Sequence, residues 1–293
     1  WKTMKKIIIL IPVYNDWDSL IKVIDEVDEI VKKFKDISFE CLIVNDASSI
    51  ESFKISKPSN IKSITILNMR LNKGHARCNA FGLRFICKTR EFDYLILMDG
   101  DGEDRPKEIK KLINQVIIDP NISVVAERVK RSEGPFFRFL YFMHKLITYL
   151  FTGKKIKFGN FSCLTKNDVN LISSKASLWS SYSGTIKKNI KVLSSIDSTR
   201  GTRYFGPSKM SLYNLLIHSF SIIAVFRYNV LMRSILLILL FSLLNIYLKF
   251  SLIFFIIPII LFVIIIFSVS LREKEEELLN SKENLDSTLD ITH

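Results

Sequence analysis

Residues Ser251–Leu271 form a run of 21 residues without a charge, and this constrains the chain more than any other feature. As a helix, such a run crosses a bilayer core of about 30 Å. The stretch Ser234–Leu248 before it is apolar over 15 residues, roughly 22 Å as a helix. Extension back to Val230 adds one turn, with Arg233 expected to snorkel outward. Lys249-Phe250 separates the two stretches, so they read as a hairpin. Arg227, Arg233, Arg272 and Lys274 flank its open end, against Lys249 alone at the turn. The positive-inside rule then puts both termini in the cytoplasm. Met210–Phe226 is apolar but interrupted by Asn214 and His218, and reads as a helix lying in the membrane interface. The expected organisation is a cytoplasmic domain over 1–209, an interfacial helix over 210–229, two transmembrane helices over 230–271 and a charged cytoplasmic tail over 272–293. The alternative, a buried core hairpin in a soluble protein, sits poorly with so long an uncharged run.

Charge narrows the partners. The formal net charge is +13. The tail from Arg272 holds seven carboxylates against three basic residues, so the body before it is more basic still. A basic body fits nucleic acid, anionic lipid or a phosphorylated substrate. The hairpin favours the last two, and neither zinc-finger spacing nor a basic reading helix is present, so nucleic acid is not expected. Cys41, Cys78, Cys87 and Cys163 form no C-x-x-C pair and no metal-ligand spacing, and read as free thiols. Ile7–Val13 is too short for a signal peptide and ends in Pro-x-Tyr-Asn, like a strand entering a loop. Met4 before Lys5-Lys6 reads as a natural start, with Trp1–Thr3 an upstream extension.

The first half alternates strand and helix. Ile7–Val13, Phe39–Val44, Ile61–Leu67, Tyr94–Met98 and Ser123–Ala126 read as strands, the first a β-branched run suited to burial on both faces. Helices are expected over Asp18–Phe34, Gly74–Cys87 and Pro106–Ile118, the last with its proline in the first turn. This alternation implies an α/β domain with a mostly parallel sheet, whose binding sites lie at the carboxyl ends of the strands. Phe136–Phe151 reads as an aromatic helix; Arg138, His144 and Lys145 among the aromatics favour membrane-surface contact over core packing. Lys154–Leu164 reads as strand-like, Ser177–Thr202 only weakly, and the tail over Glu273–Leu289 as a solvated helix or a disordered segment.

Three polar clusters fall at strand ends. Asp99-Gly100-Asp101-Gly102-Glu103-Asp104 places four acids in six residues. Such acids repel one another unless cations neutralise them, and hard oxygens suit Mg²⁺ or Mn²⁺. The plainer reading is an acidic solvated loop. An EF-hand loop is disfavoured by Pro106 and by the lack of Glu at its twelfth position. Asn45-Asp46-Ala47-Ser48 reads as a nucleoside contact or an Asx-turn. Asn72-Lys73-Gly74-His75 opens a helix, where backbone N–H groups face a phosphate or are simply capped. His75 by itself reads as structural.

Together, Pro12-x-Tyr14-Asn15, Asn45-Asp46-x-Ser48, Asn72-x-Gly74 and Asp99-x-Asp101 resemble, in order and spacing, the family 2 glycosyltransferases with the glycosyltransferase-A fold. Arg203-Tyr204-Phe205-Gly206-Pro207-Ser208-Lys209 before apolar helices is similar to the polyprenyl-phosphate branch, which includes dolichyl-phosphate mannose synthases. The resemblance, over roughly Lys5 to Leu271, implies an inverting, cation-dependent enzyme. It would move a sugar from a UDP- or GDP-linked donor to a polyprenyl (undecaprenyl) phosphate at the bacterial inner membrane, with oligomeric state open. It implies donor contacts from Pro12, Tyr14, Asn15, Asn45, Asp46, Asn72, Gly74 and Asp99. The cation would fall to Asp99, Asp101 and Glu103, and acceptor phosphate to Arg128, Arg131, Arg203, Ser208 and Lys209. Asp99, Asp101, Arg128 and Arg131 would carry catalysis.

The chain departs from the family pattern at Asn45 for Asp, Asp16 for Glu, Glu103 for Gln and Asp104-Arg105-Pro106 for Asp-Pro-Pro. Asn160-Phe161-Ser162 stands where Asp-Phe-Arg is usual. A phosphate acceptor is already an anion and needs no base, so Asn160 is compatible with it; a hydroxyl acceptor is harder to reconcile. The alternatives are transfer to a sugar hydroxyl of a lipid-linked oligosaccharide or lipopolysaccharide precursor, and a non-catalytic protein binding nucleotide-sugar or lipid. A processive synthase is disfavoured because no Gln-x-x-Arg-Trp is present.

Overall fold

A computed structural model describes residues 4–50, 55, 58–130, 135–207, 211–249 and 251–291. The β-branched run near the start forms β1 (Lys5–Val13), pairing in parallel with β2 (Ile37–Asn45) and β4 (Tyr94–Leu97), while β2 pairs in parallel with β3 (Ser63–Met69). Successive β1 residues point to opposite faces. Ile7, Ile9 and Ile11 pack under α1 (Trp17–Val31) and α3 (Ile109–Ile118). Ile8 and Leu10 pack under α2 (His75–Thr89), and α5 (Lys166–Ile172) and α6 (Tyr182–Asn189) join the same cluster. Both faces are therefore covered, as a strand of uninterrupted apolar residues requires. Gly82 of α2 allows this closeness, since a Cβ there would lie 2.5 Å from Leu10.

The sheet has eight strands in the order β7-β5-β6-β4-β1-β2-β3-β8. β5 (Ser123–Lys130) pairs in parallel with β7 (Leu193–Thr199), and β6 (Phe158–Thr165) runs antiparallel between β4 and β5. This reversal positions the site. Ser162 pairs with Leu97, so Asn160 lies beyond the carboxyl end of β4, beside the acidic loop. Mixed alternation after β4 also explains why the sequence is hard to read there: α6, β7 and a 3₁₀ turn at Ala176–Trp179 occupy the weakly patterned region.

α4 (Pro135–Thr152) and α7 (Leu212–Ala224) join the catalytic-sized domain to a hairpin of α8 (Arg227–Leu248) and α9 (Ile253–Ser270). Both hairpin helices are long and apolar enough to cross a membrane by length and composition. Phe151 of α4 stacks on Phe262 of α9 at 4.5 Å, and Ile147, Ile217 and Val230 share that cluster. Phe139, Phe142, Leu146 and Tyr149 stay exposed along α4, as do Leu236, Leu243, Phe254 and Leu261 on the hairpin. Arg233 does not snorkel freely: its guanidinium donates to the Leu150 carbonyl at 3.1 Å, at the end of α4. Lys249 makes the hairpin turn in the left-handed region, φ 47°.

The tail is neither a solvated helix nor disordered. After α10 (Glu275–Leu279) and a 3₁₀ turn, β8 (Leu285–Ile291) pairs antiparallel with β3 at the sheet edge. Thr65 donates to Asp290 at 2.5 Å, and Leu278 is fully buried in the α2 side of the core. Arg227 at the start of α8 holds Glu273 after α9 at 2.6 Å, closing the base of the hairpin. The acidic residues of β8 face outward on an edge strand, which is why their charge reads in sequence as a solvated segment.

Candidate active site

The ends of β1, β2 and β4 bring together the loops that follow them. Asn15 adopts φ 50°, and its side-chain oxygen accepts from the Ser49 and Ile50 backbone N–H groups at 2.9 and 3.1 Å. Its own N–H donates to Ser48 Oγ at 2.9 Å. Asn45 accepts from Ser48 N–H and donates to Asn68. Asp46, nearly buried at 4% exposure, accepts from Lys73 and Gly74 N–H, both at 2.9 Å. Burial raises its pKa, and those two N–H donors oppose the rise. Gly74, at φ 90°, is the residue before α2 and needs the conformational freedom of glycine.

The acidic loop is folded on itself. Asp104 Oδ2 accepts from Asp99 N–H at 3.1 Å, and Asp101 Oδ1 accepts from Glu103 N–H at 2.9 Å. Asp99 Oδ1 lies 3.2 Å from His75 Nε2 and accepts from Asn160 Nδ2 at 3.1 Å. Burial opposes ionisation of Asp99, but His75, Arg128 and the Asn160 amide outweigh it and hold the carboxyl below its usual range. Asp101 is pushed up to about 6 by burial and by the charge of Asp99, against the pull of Arg203 and Arg200. Asp104 is pushed up to about 7, again by burial first and then by Asp99. His75 is raised despite its burial, chiefly by Asp99.

A strap after β7 lies across this loop. Arg203 pairs with Asp101 at 2.7 Å and with Asp16, and Arg200 pairs with Glu103. Tyr204 N–H donates to the Asp101 carbonyl at 3.0 Å, and its hydroxyl donates to Glu26 at 2.7 Å. Gly102, at φ 83°, sits under the Tyr204 ring, where a Cβ would lie 2.4 Å from the ring.

The family model for glycosyl transferase family 2 matches residues 8–170, more than half of the chain. The chain belongs to glycosyl transferase family 2. Among curated proteins it is 27% identical over 165 residues to an undecaprenyl-phosphate 4-deoxy-4-formamido-L-arabinose transferase of Yersinia pestis (strain Pestoides F), covering 56% of this chain and 48% of that one. The corresponding protein of Proteus mirabilis (strain HI4320) is 25% identical over 139 residues, covering 47% and 41%. The chain thus spans about half the length of the curated relatives it matches. Among solved structures, glucosyl-3-phosphoglycerate synthase from Mycobacterium tuberculosis, in complex with Mn²⁺, UDP-glucose and phosphoglyceric acid, superposes with a TM-score of 0.55 at 13% identity. That match covers 77% of this chain and 80% of the other. Mannosyl-3-phosphoglycerate synthase from Rubrobacter xylanophilus gives 0.54 at 15% identity, covering 75% and 72%. These two likenesses carry the fold, the mixed α/β sheet expected from the resemblance.

Of the expected donor residues, Asn15 and Asn45 are joined through Ser48, Asp46 holds Gly74, and Asp99 meets His75 at the start of α2, while Tyr14 and Asn72 are exposed and Pro12 is buried in β1. Asn45 and Asp46 spend their polar atoms on the loops themselves, so they shape the rim. Arg128, at the end of β5, faces Asp104 at 3.9 Å and packs on Gly159. Arg203 faces carboxylates. Arg131, Ser208 and Lys209 lie outside the described residues. Arg200 also pairs with the acidic loop and is absent from the sequence reading, where Asp16 is named only as a departure from the family pattern and Tyr204 only within the motif that Arg203 opens. The Arg200-x-x-Arg203 spacing opposite an acidic loop is the signal that would have found the first. His75, read from sequence as structural, reaches the centre of the site through its position at the first residue of α2.

Proposed function

We propose that the chain is a membrane-anchored inverting glycosyltransferase that moves a sugar from a nucleotide-sugar to a polyprenyl phosphate. The observation that carries this reading is the packing of α7 between the apolar hairpin on one side and α6 of the sheet domain on the other. Val225 at the end of α7 accepts from Lys188 of α6 at 2.9 Å, and the Tyr182 hydroxyl of α6 lies 2.7 Å from Ser162 Oγ of β6, two residues from Asn160. The helix that leads into the apolar hairpin is therefore joined through α6 to the strand that carries Asn160. The names of the curated relatives, which specify undecaprenyl phosphate as carrier, support the same acceptor class.

Asp99 and Asp101 offer hard oxygen donors at the end of β4, and they would hold a divalent cation. No group of three or more ligating side chains is assembled among the described residues, and Glu103 and Asp101 are paired with Arg200 and Arg203. The Mn²⁺ in the M. tuberculosis neighbour supports the same cation class. When bound, the cation supplies charge neutralisation of the nucleoside diphosphate leaving group. The chain's own residues do the rest. Asp46 fixes the β2 end against the α2 loop, which shapes the donor rim. Arg128 orients an anionic acceptor toward the anomeric carbon, and positioning accounts for much of the rate. The acceptor phosphate oxygen is already ionised and attacks without a base, consistent with an amide at Asn160.

The return of β8 to β3 supports a hairpin with both ends on the side of the catalytic domain, and the arginines at its base support a cytoplasmic orientation. The test uses membranes containing the protein, undecaprenyl phosphate, Mn²⁺ and a panel of labelled nucleotide sugars. Transfer of label to the organic phase, abolished by EDTA, is the expected result. Donor binding without lipid-linked product would instead favour a sugar hydroxyl acceptor or a binding-only role.

A further inference from the structure

We propose that His75 and Asn160 are positioning residues that jointly hold one oxygen of Asp99, so that the other is presented to the cation and donor. The inference rests on the proposed reading of Asp99 as a ligand. Three elements converge on this carboxylate: the first residue of α2, the end of β4 and the start of β6. His75 Nε2 is 3.2 Å from Asp99 Oδ1, Asn160 Nδ2 is 3.1 Å from the same oxygen, and the two side chains are 2.7 Å from each other. Asp99 Oδ2 makes no hydrogen bond among the described residues.

The two donors are redundant by chemistry. Nε2 carries at most one hydrogen, whereas the Asn160 amide carries two. With Nε2 protonated, His75 donates to Oδ1. With Nε2 bare, it accepts from Asn160, whose second hydrogen still reaches Oδ1. Oδ1 keeps a donor in either state, so the carboxylate plane stays fixed.

The ring itself is anchored from both ends. At its base, Asp46 grips the Lys73 and Gly74 N–H groups immediately before His75. At its tip, Asn79, one turn along α2 and 1% exposed, places Nδ2 3.1 Å from Nε2. The Asn79 side-chain oxygen is buried without a partner. The same chain of contacts links the donor-side loop to the cation ligand through two side chains, Asp46 and His75. Partners that hold a ligating carboxylate tune its affinity as strongly as many ligands do.

The experiment is a titration of the full-length detergent-solubilised protein with Mn²⁺ alone, followed by the loss of the free-ion electron paramagnetic resonance signal. His75→Ala and Asn160→Ala are each expected to weaken Mn²⁺ binding about 2-fold, because the remaining donor still holds Oδ1, and removal of both about 10-fold or more, the cost of losing an outer-shell partner. The double variant is expected to lose more than the product of the two, because each donor covers for the other. His75→Gln, whose amide reaches as far as Nε2 and can donate, is expected to restore most of the affinity. If His75→Ala does not fold, His75→Asn replaces it, since its amide is too short to reach Asp99. Unchanged Mn²⁺ affinity in the folded double alanine variant overturns the proposal, and so does a glutamine variant no better than alanine. A wild-type protein that binds no Mn²⁺ overturns the cation reading itself, and this inference with it.

Discussion

Asp101, proposed to hold the cation, is paired with the Arg203 guanidinium. Its carboxyl sits at about 6, lifted by burial and by Asp99. A folded pKa above the unfolded value favours the folded state at low pH, and that contribution is lost as pH rises from about 4 through 6. Cation binding has the opposite sign, because the ligand must be deprotonated. The increase in melting temperature on adding Mn²⁺ is therefore expected to be small at pH 5 and to grow up to about pH 7, as a thermal melt series would record. Arg203 competes for the same carboxylate through its 2.7 Å pair. Arg203→Gln should therefore tighten Mn²⁺ binding several-fold in the same titration, on the order of one pKa unit of removed interaction. It should also lower the melting temperature of the cation-free protein, since Asp16 and Asp101 lose a shared partner. Weaker Mn²⁺ binding in this variant would mean that Arg203 orders the loop and does not compete for it.

At the scale of elements, the sequence is most legible where one residue pattern has one structural solution. The uncharged β-branched run of β1 and the helical spacing of α1 leave little choice, and those elements appear within a few residues of expectation. The loops at strand ends were legible as polar clusters, yet their division of labour was not. Whether Asn45 and Asp46 touch ligand or shape the rim depends on atoms contributed by Asn68 and Gly74, far along the chain. Arg203 likewise reads as a phosphate ligand until Asp16, 187 residues away, is folded beside it. The tail was misread for a related reason: an acidic edge strand has the composition of a solvated segment, and only β3 reveals its pairing. One apolar residue in that tail gives a sharp test. Leu278 is fully buried against α2 and the Ala176–Trp179 turn, beside a Trp179–Glu277 hydrogen bond of 2.9 Å. Leu278→Ala is expected to cost about 2–5 kcal/mol, as for other buried leucines, and to lower the melting temperature by several degrees. A melt indistinguishable from wild type would mean that α10 is not docked in solution.

For the whole molecule, the pairing of β8 with β3 fixes how the hairpin relates to the catalytic sheet. The chain leaves that sheet through α7, passes through α8 and α9, and comes back to the sheet's far edge. Arg227 and Glu273 meet at the base, so both ends of the hairpin lie on one side, and Lys249 lies at the far end. If the hairpin spans a bilayer, a probe confined to the outer side can reach the turn and nothing else. Cys41, Cys78 and Cys163 are buried, so a Cys87→Ser background leaves no accessible thiol among the described cysteines. On that background, Lys249→Cys in intact spheroplasts is expected to react with a membrane-impermeant maleimide. Lys282→Cys, in the turn before β8, is expected to react only after the membrane is opened. Reaction of Lys282→Cys alone in intact spheroplasts would reverse the orientation and put the active site outside, where nucleotide-sugar donors are not made. Protection of both positions until lysis would mean that the hairpin lies in the inner leaflet without crossing it. The proposed transferase would survive that result, because α4 and α7 would still present the site to the lipid surface, but the charge asymmetry across the hairpin would have lost its meaning.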